Sequence, residues 1–240
     1  TSNAELYRTL ELKVAERTEE LARKNQDITS SIVYAKRLQR GVLPSTNFMS
    51  QLLPESFVYF QPKDIVSGDF YWIDRSKSRI LMAVVDCTGH GVPGAMMSII
   101  GKNLLDQAVN EKGLIIPSQI LKFLQVGLSI AFGQNADDKA ELFDGMDLSI
   151  CSINLNKKEI EFAGANNSLY LVRNGELEVV KGDSVGISVE YGLFSDYANA
   201  VLALEDGDMI YLTSDGYPDQ FGGPNCKKYS SRRRRELMVR

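Results

Sequence analysis

The chain has 240 residues, enough for one domain of about 200 residues with an appendage or for two small domains. Apolar residues make up 44% and charged residues 24%, with 27 basic against 31 acidic side chains and a net charge of −4. These figures exclude a mostly disordered chain, a collagen-like one, a disulfide-stapled miniprotein and a general polyanion binder, so no nucleic-acid partner is expected. The three cysteines, Cys87, Cys151 and Cys226, show no CxxC spacing, which predicts a reducing, cytoplasmic setting.

No stretch reaches the roughly 18–20 apolar residues of a membrane helix, and no signal peptide is visible. Thr1-Ser2-Asn3-Ala4 reads as a cloning remnant, and the chain as a piece of a longer protein. Residues 5–44 then predict a helical linker. They lack glycine until Gly41 and proline until Pro44, and are rich in Glu, Lys, Arg, Leu and Ala. Val14, Leu21, Ile28, Ala35 and Val42 repeat with heptad spacing, and Thr18, Asn25, Ile32 and Gln39 form the second seam. This 3-4 alternation predicts a coiled-coil stripe, with Asn25 suited to fixing the register of a parallel homodimer. Glu19 with Arg23 and Glu20 with Lys24 are favourable i,i+4 pairs. The competing reading is a long helix packed along its own domain.

Pro44 ends the helix. From 45 to 240 the pattern changes to that of a separate domain. Phe57–Phe60 and Phe70–Ile73 are aromatic and β-prone, and Ile80–Val85 reads as a buried strand. Ala95–Val109 and Ser118–Phe132 read as helices. Short strands follow at Leu148–Asn154, Glu159–Ala163, Ser168–Val172, Glu176–Val180, Val201–Leu204 and Met209–Thr213. Asn174-Gly175 is a two-residue hairpin signal, because both central residues of that turn need positive φ. Helices segregated from hairpin-linked strands predict an α+β fold.

Acidic residues stand beside glycine at three predicted strand ends: Gly68-Asp69, Asp86 before Gly89, and Asp215-Gly216. A carboxylate there is held stiffly by the sheet, and glycine lets an ion or a phosphate approach the backbone. Three such carboxylates brought together would hold hard divalent cations through oxygen. Any single Asp-Gly pair is commonly only a turn, but Asp86 emerges directly from a buried strand, where an unpaired carboxylate is costly. The only histidine, His90, excludes a zinc site with several His ligands. Asp206 and Asp208 read as an exposed turn, and Arg232–Arg235 as a solvated helix start.

The motifs Asp64-Ile-Val-Ser-Gly-Asp-Phe-Tyr71, Asp86-Cys-Thr-Gly-His-Gly-Val-Pro-Gly-Ala95, Asp144-Gly-Met-Asp147, Ala163-Gly-Ala-Asn-Asn167 and Ser214-Asp-Gly-Tyr-Pro-Asp-Gln-Phe-Gly-Gly223 occur in order. Together they resemble the serine phosphatase domain of the sporulation stage II protein E type, the bacterial branch of the metal-dependent protein phosphatase 2C superfamily. Ser31–Gln39 and Leu43-Pro44 also resemble this family's lead-in from an upstream sensor domain. The resemblance implies two packed antiparallel β-sheets flanked by helices and two Mn²⁺ or Mg²⁺ ions in a cleft. It implies that Asp69, Asp86 and Asp215 ligate metal by carboxylate and Cys87 by its carbonyl oxygen, with Asp219 and Asp147 as further candidates.

In that scheme two cations about 3.5–4 Å apart activate a bridging water for attack on a phosphoserine or phosphothreonine. His90 could donate a proton to the leaving oxygen, a role the family pattern does not fix. The implied substrate is a regulatory phosphoprotein such as an anti-sigma-factor antagonist, and the implied setting is the cytoplasm, including the cytoplasmic part of a membrane-anchored sensor. Relatives carry a further C-terminal aspartate that has no counterpart before Arg240, so the domain reads as C-terminally truncated. That departure leaves a non-catalytic docking module as the alternative.

Overall fold

The computed structural model describes residues 2–133, 145–188, 195–222 and 226–239. The chain divides into two compact units, Thr1–Gly41 and Val42–Arg240. The first is helix α1, Ser2–Val42, whose last residue belongs to the second unit. At 1.5 Å per residue its 41 residues extend about 60 Å. Its polar β-branched and hydroxyl residues are absorbed locally: Thr9, Thr18 and Ser31 donate to the carbonyls of Glu5, Val14 and Asp27. Glu20 accepts the expected pair from Lys24 at 2.8 Å and a second from Arg17 at 2.6 Å. Val14, Leu21 and Ile28 of the heptad seam are exposed. Among the described residues no helix is long and apolar enough to cross a membrane.

The second unit opens with helix α2 (Thr46–Leu52), capped by Ser45, whose Oγ accepts from the amide of Phe48 at 3.2 Å. Phe57–Phe60 is not a strand, contrary to its composition. Pro54 and Pro62 bracket it, each lacking an amide donor, and among the described residues no strand pairs with the segment. Its exposed rings pack edge-on instead, Phe57 on Tyr211 and Tyr59 on Tyr217 at centroid separations of 6.3 and 6.0 Å.

Strands β1 (Phe70–Ser76) and β2 (Arg79–Cys87) lead into α3 (Gly91–Asp106), a π-helical stretch (Gln107–Glu111) and α4 (Pro117–Gly133). Strands β3 (Gly145–Asn154), β4 (Glu159–Ala165), β5 (Leu169–Arg173), β6 (Glu176–Val180), β7 (Ile187–Ser188), β8 (Ala200–Ala203) and β9 (Met209–Leu212) follow. The chain ends with β10 (Phe221–Gly222), β11 (Lys227–Lys228) and α5 (Ser231–Met238). The large sheet runs β1-β2-β3-β4-β8 with β7 beside β3, and the small one runs β6-β5-β9. Both are antiparallel. Asn174 and Gly175 turn the β5–β6 hairpin with φ of 51° and 78°, as their identity predicts.

Alternation along β2 separates two cores. Leu81, Ala83, Val85 and Cys87 face α3 and α4, where they pack with Leu105, Leu121 and Leu124. Ile80 and Met82 face the small sheet, where Ile153, Ile160 and Phe162 meet Leu169 and Leu171. Helices therefore cover one face of the large sheet and the small sheet covers the other, the α+β arrangement expected of the sequence.

Candidate active site at the sheet ends

The same alternation gathers the acidic residues. Asp86 shares the parity of Ile80 and Met82, so it lies on the face turned to the small sheet. Asp147 is its direct antiparallel partner in the β2–β3 ladder and lies on that same face. Asp69 precedes β1 and continues the parity of Ile73, another residue of the inter-sheet core. Asp215 follows β9 of the opposing sheet by three residues.

The Asp69 and Asp215 carboxylates lie close enough to Asp86 to act on its carboxyl. Burial first, and then the two neighbouring carboxylates, push its own carboxyl up from 3.8 to about 8. The charges acting on it are all negative. Burial also raises the Asp147 carboxyl, against a hydrogen bond from Asn166, and Asp215 adds to the rise. Among the described residues the His, Cys, Asp and Glu side chains form no ready cage of three ligands about one point. What joins the three aspartates is the action of each of the other two on Asp86. The donor set is all oxygen and carries excess negative charge, the chemistry that Mg²⁺ and Mn²⁺ accept.

Neighbouring groups hold these carboxylates in place. The Ser214 hydroxyl donates to Asp69 Oδ2 at 2.7 Å, and Asn166 Nδ2 donates to Asp147 Oδ1 at 2.8 Å. Thr88 pins the turn after β2, its amide and hydroxyl both donating to the Gly145 carbonyl at 3.0 and 3.1 Å. Glycines let the segments meet. A Cβ on Gly68 would stand 2.8 Å from the Gly89 carbonyl oxygen and 3.0 Å from that of Cys87. One on Gly94 would stand 2.6 Å from the Gly89 oxygen, and one on Gly186 would stand 2.6 Å from Asp147 Oδ1.

The remaining sequence candidates have other surroundings. The Cys87 thiol is buried in the helix-side core, and burial, then Asp86 and Asp69, push it far above its ordinary range. It is unfit as a nucleophile, and only its carbonyl reaches the Gly68 backbone. His90 is exposed at the start of α3, with Nδ1 3.0 Å from Asp64 Oδ2. Asp219 pairs with Lys228 Nζ at 2.7 Å. Asp208 corrects the expectation of an exposed turn: its side chain is buried and accepts from Arg173 Nε and Nη2 at 2.8 and 2.6 Å. Asp206 keeps the exposed position expected of it, beside Lys158. Asp144, Gly223 and Arg240 lie outside the described residues.

Two contributors escaped the sequence reading. Ser214 was visible only as the residue before Asp215. Arg234 is buried although its neighbours Arg232, Arg233 and Arg235 are exposed, which corrects the reading of all four as solvated. A helical register for α5 would have separated one arginine from the others, but nothing in the run marks which one.

A family model described as Stage II sporulation protein E (SpoIIE) matches residues 76–240. Among curated proteins, "Phosphoserine phosphatase RsbU" of Bacillus subtilis (strain 168) is 32% identical over 197 residues, covering 80% of this chain and 54% of that protein. The chain thus spans about half the length of that relative. Among solved structures, the SiaA-PP2C domain of Pseudomonas aeruginosa matches with a TM-score of 0.79 and 31% identity, over 90% of this chain and 82% of that one. The PP2C phosphatase domain with a regulatory fragment of SpoIIE from Bacillus subtilis matches with a TM-score of 0.51 and 22% identity, over 65% and 43%, a likeness of fold alone.

Proposed function

Because this chain belongs to the Stage II sporulation protein E family, we propose that it is a metal-dependent protein phosphatase acting on phosphoserine or phosphothreonine of a regulatory protein. The observation that carries this reading is Asp86, set between Asp69 and Asp215 with only negative charge acting on it. Such a group is poorly compensated as it stands and suits a divalent cation. Asp69, Asp86, Asp215 and the Cys87 carbonyl would hold Mn²⁺ or Mg²⁺, with Asp147 and Asp219 as outer candidates. When bound, the ions would supply an activated water and would screen the phosphate charge.

The protein's own residues do the positioning. Ser214 fixes the orientation of Asp69 through Oδ2. Asn166 holds Asp147 by a hydrogen bond to Oδ1, beside Asp86 in the ladder. The raised Cys87 thiol leaves no competent sulfur nucleophile at the site, which favours direct attack by water. His90, the only histidine of the chain, has its Nδ1 oriented by Asp64.

Signalling would reach the site through α1. Its exposed seam would pair with a second copy, and a sensor preceding α1 would change that pairing to reshape the site. The substrate would be a phosphoprotein such as an anti-sigma-factor antagonist, met in the cytoplasm, and the three free cysteines support a reducing compartment. The test is hydrolysis of a phosphoseryl peptide by the full chain with Mn²⁺ or Mg²⁺. Turnover that needs the ion and is lost in Asp86→Asn supports the reading; turnover intact in Asp86→Asn overturns the site.

A further inference from the structure

Helix α5 has eight residues, four of them consecutive arginines. Three face solvent, while Arg234 is 8% exposed. Leucine or methionine would fill such a place without desolvating a cation. The guanidinium is instead spent on the end of β9 and on the strand beside it. Nη1 donates to Thr213 Oγ1 at 2.7 Å and to the Ser214 carbonyl at 3.2 Å. Nη2 donates to the Tyr170 hydroxyl, and Cζ lies 4.8 Å from the centroid of the Tyr170 ring. Each of these acceptors is neutral, and Nε is buried without a partner among the described residues. Tyr170 lies on β5 and Thr213 just after β9, adjacent strands of the small sheet. The fork therefore clasps the end of β9 to its neighbour, immediately before Asp215.

The chain returns to this point by a closed path. The Asp219 amide donates to the Asp215 carbonyl, the Tyr229 amide to that of Gln220, and the Ser230 amide to that of Pro218. These bonds bring α5 back beside the strand end it grips. From Thr213 and Ser214 the connection to the acidic group is immediate: the Ser214 hydroxyl binds Asp69, and Asp215 acts on Asp86.

We infer that Arg234 is a positioning residue: its fork fixes Thr213 and Ser214, and so sets where Asp215 and Asp69 stand relative to Asp86. This rests on the reading of those three aspartates as the metal-holding group. The planar fork matters as well as the charge, because Nη1 binds Thr213 and Ser214 while Nη2 binds Tyr170 on the neighbouring strand, a spread that a lysine ammonium on a flexible stem cannot reproduce.

The test uses the full chain carrying Arg234→Met, Arg234→Lys or Thr213→Val, with exposed Arg233→Met as control. Mn²⁺ affinity is measured by calorimetry, amide exchange at Ser214, Asp215 and Gly216 by mass spectrometry, and kcat and KM on a phosphoseryl peptide. In Arg234→Met, Mn²⁺ affinity falls about tenfold to a hundredfold, the range for groups that orient metal ligands. Exchange at 214–216 accelerates while the β2 amides keep wild-type protection, and kcat falls with KM nearly unchanged. Arg234→Lys recovers little, Thr213→Val moves the same readouts less far, and Arg233→Met moves none. Wild-type affinity and wild-type exchange at 214–216 in Arg234→Met overturn the inference alone. So does equal loss of protection throughout the domain, which marks a merely structural role. A wild-type chain that binds no Mn²⁺ overturns the reading of the site and this inference with it.

Discussion

Asp86 and Asp147 are direct partners across the β2–β3 ladder, two carboxylates side by side on one face of an antiparallel sheet. Like charges so placed oppose folding. Asp147 has Asn166 to satisfy it, while Asp86 meets Asp69 and Asp215. The arrangement costs stability that a cation would restore. Asp86→Asn is therefore expected to make the metal-free chain more heat-stable at pH 8 than the wild type. It is also expected to abolish the rise in Tm that Mn²⁺ gives the wild type by mass action, and to lower phosphoseryl hydrolysis by about 10²-fold or more. Thermal scans with and without Mn²⁺ check this. A metal-free variant less stable than wild type would show that the aspartates do not repel one another.

The glycine contacts predict graded effects. Gly94→Ala would put a methyl 2.6 Å from the Gly89 carbonyl and 3.1 Å from the Gly68 Cα, all backbone that cannot swing aside. The cost is expected at about 1–3 kcal/mol, with Mn²⁺ affinity reduced because the Gly68 and Gly89 loops carry the acidic residues apart. Gly41→Ala has open space around it in a helix, and is expected to stabilise α1 by about 0.5–1 kcal/mol. Denaturant titration of both variants decides it; a Gly94→Ala chain as stable as wild type and equally avid for Mn²⁺ refutes the close-packing account.

How far the sequence could be read follows from the length scale of each cause. A continuous apolar run made β2 legible, period-two patterning made β3 and β9 legible, and Asn174-Gly175 marked its hairpin, because those signals are local. Asp69, Asp86 and Asp215 were legible as strand-end carboxylates, and their contact followed from parity once the two sheets were known to face one another. Phe57–Phe60 misled because aromatic composition states a preference for pleated, half-buried surface, while two prolines and the lack of a partner strand decided the outcome. Asp208 and Arg234 were illegible for a related reason. Each is a charged residue in a polar run whose burial depends on one distant partner, Arg173 or the Thr213–Tyr170 pair.

The Asp208–Arg173 pair gives a dependence on pH. Hydrogen bonds from Arg173, opposed by burial, hold the Asp208 carboxyl below its ordinary 3.8. A depressed carboxylate contributes stability that is fully present above the unfolded value, and that is lost as pH falls below about 4 through the folded value. Asp208→Asn is accordingly expected to lower Tm by several degrees at pH 7, with the gap to wild type closing as pH falls below the ordinary carboxylate value through the depressed one. Parallel melts across pH 2.5–7 measure it, and a gap that stays constant to the acid end removes the ionic contribution.

The exposed seam of α1 makes a prediction that is independent of the active site. Leu21 and Ile28 are 61% and 58% exposed on a helix that has few other ways of burying apolar surface. Two helices pairing along the Val14–Leu21–Ile28 stripe would bury it by knobs-into-holes packing, and Asn25 between them would set a parallel register at some cost in stability. The wild-type chain is expected at twice its 26.7 kDa mass in sedimentation equilibrium at tens of micromolar. Leu21→Glu with Ile28→Glu is expected at the single mass, because four carboxylates would face one another across the seam. Asn25→Leu should tighten association while relaxing its register. A wild-type chain that sediments as a monomer at these concentrations, or a double variant that still pairs, would remove the stripe as the dimer contact.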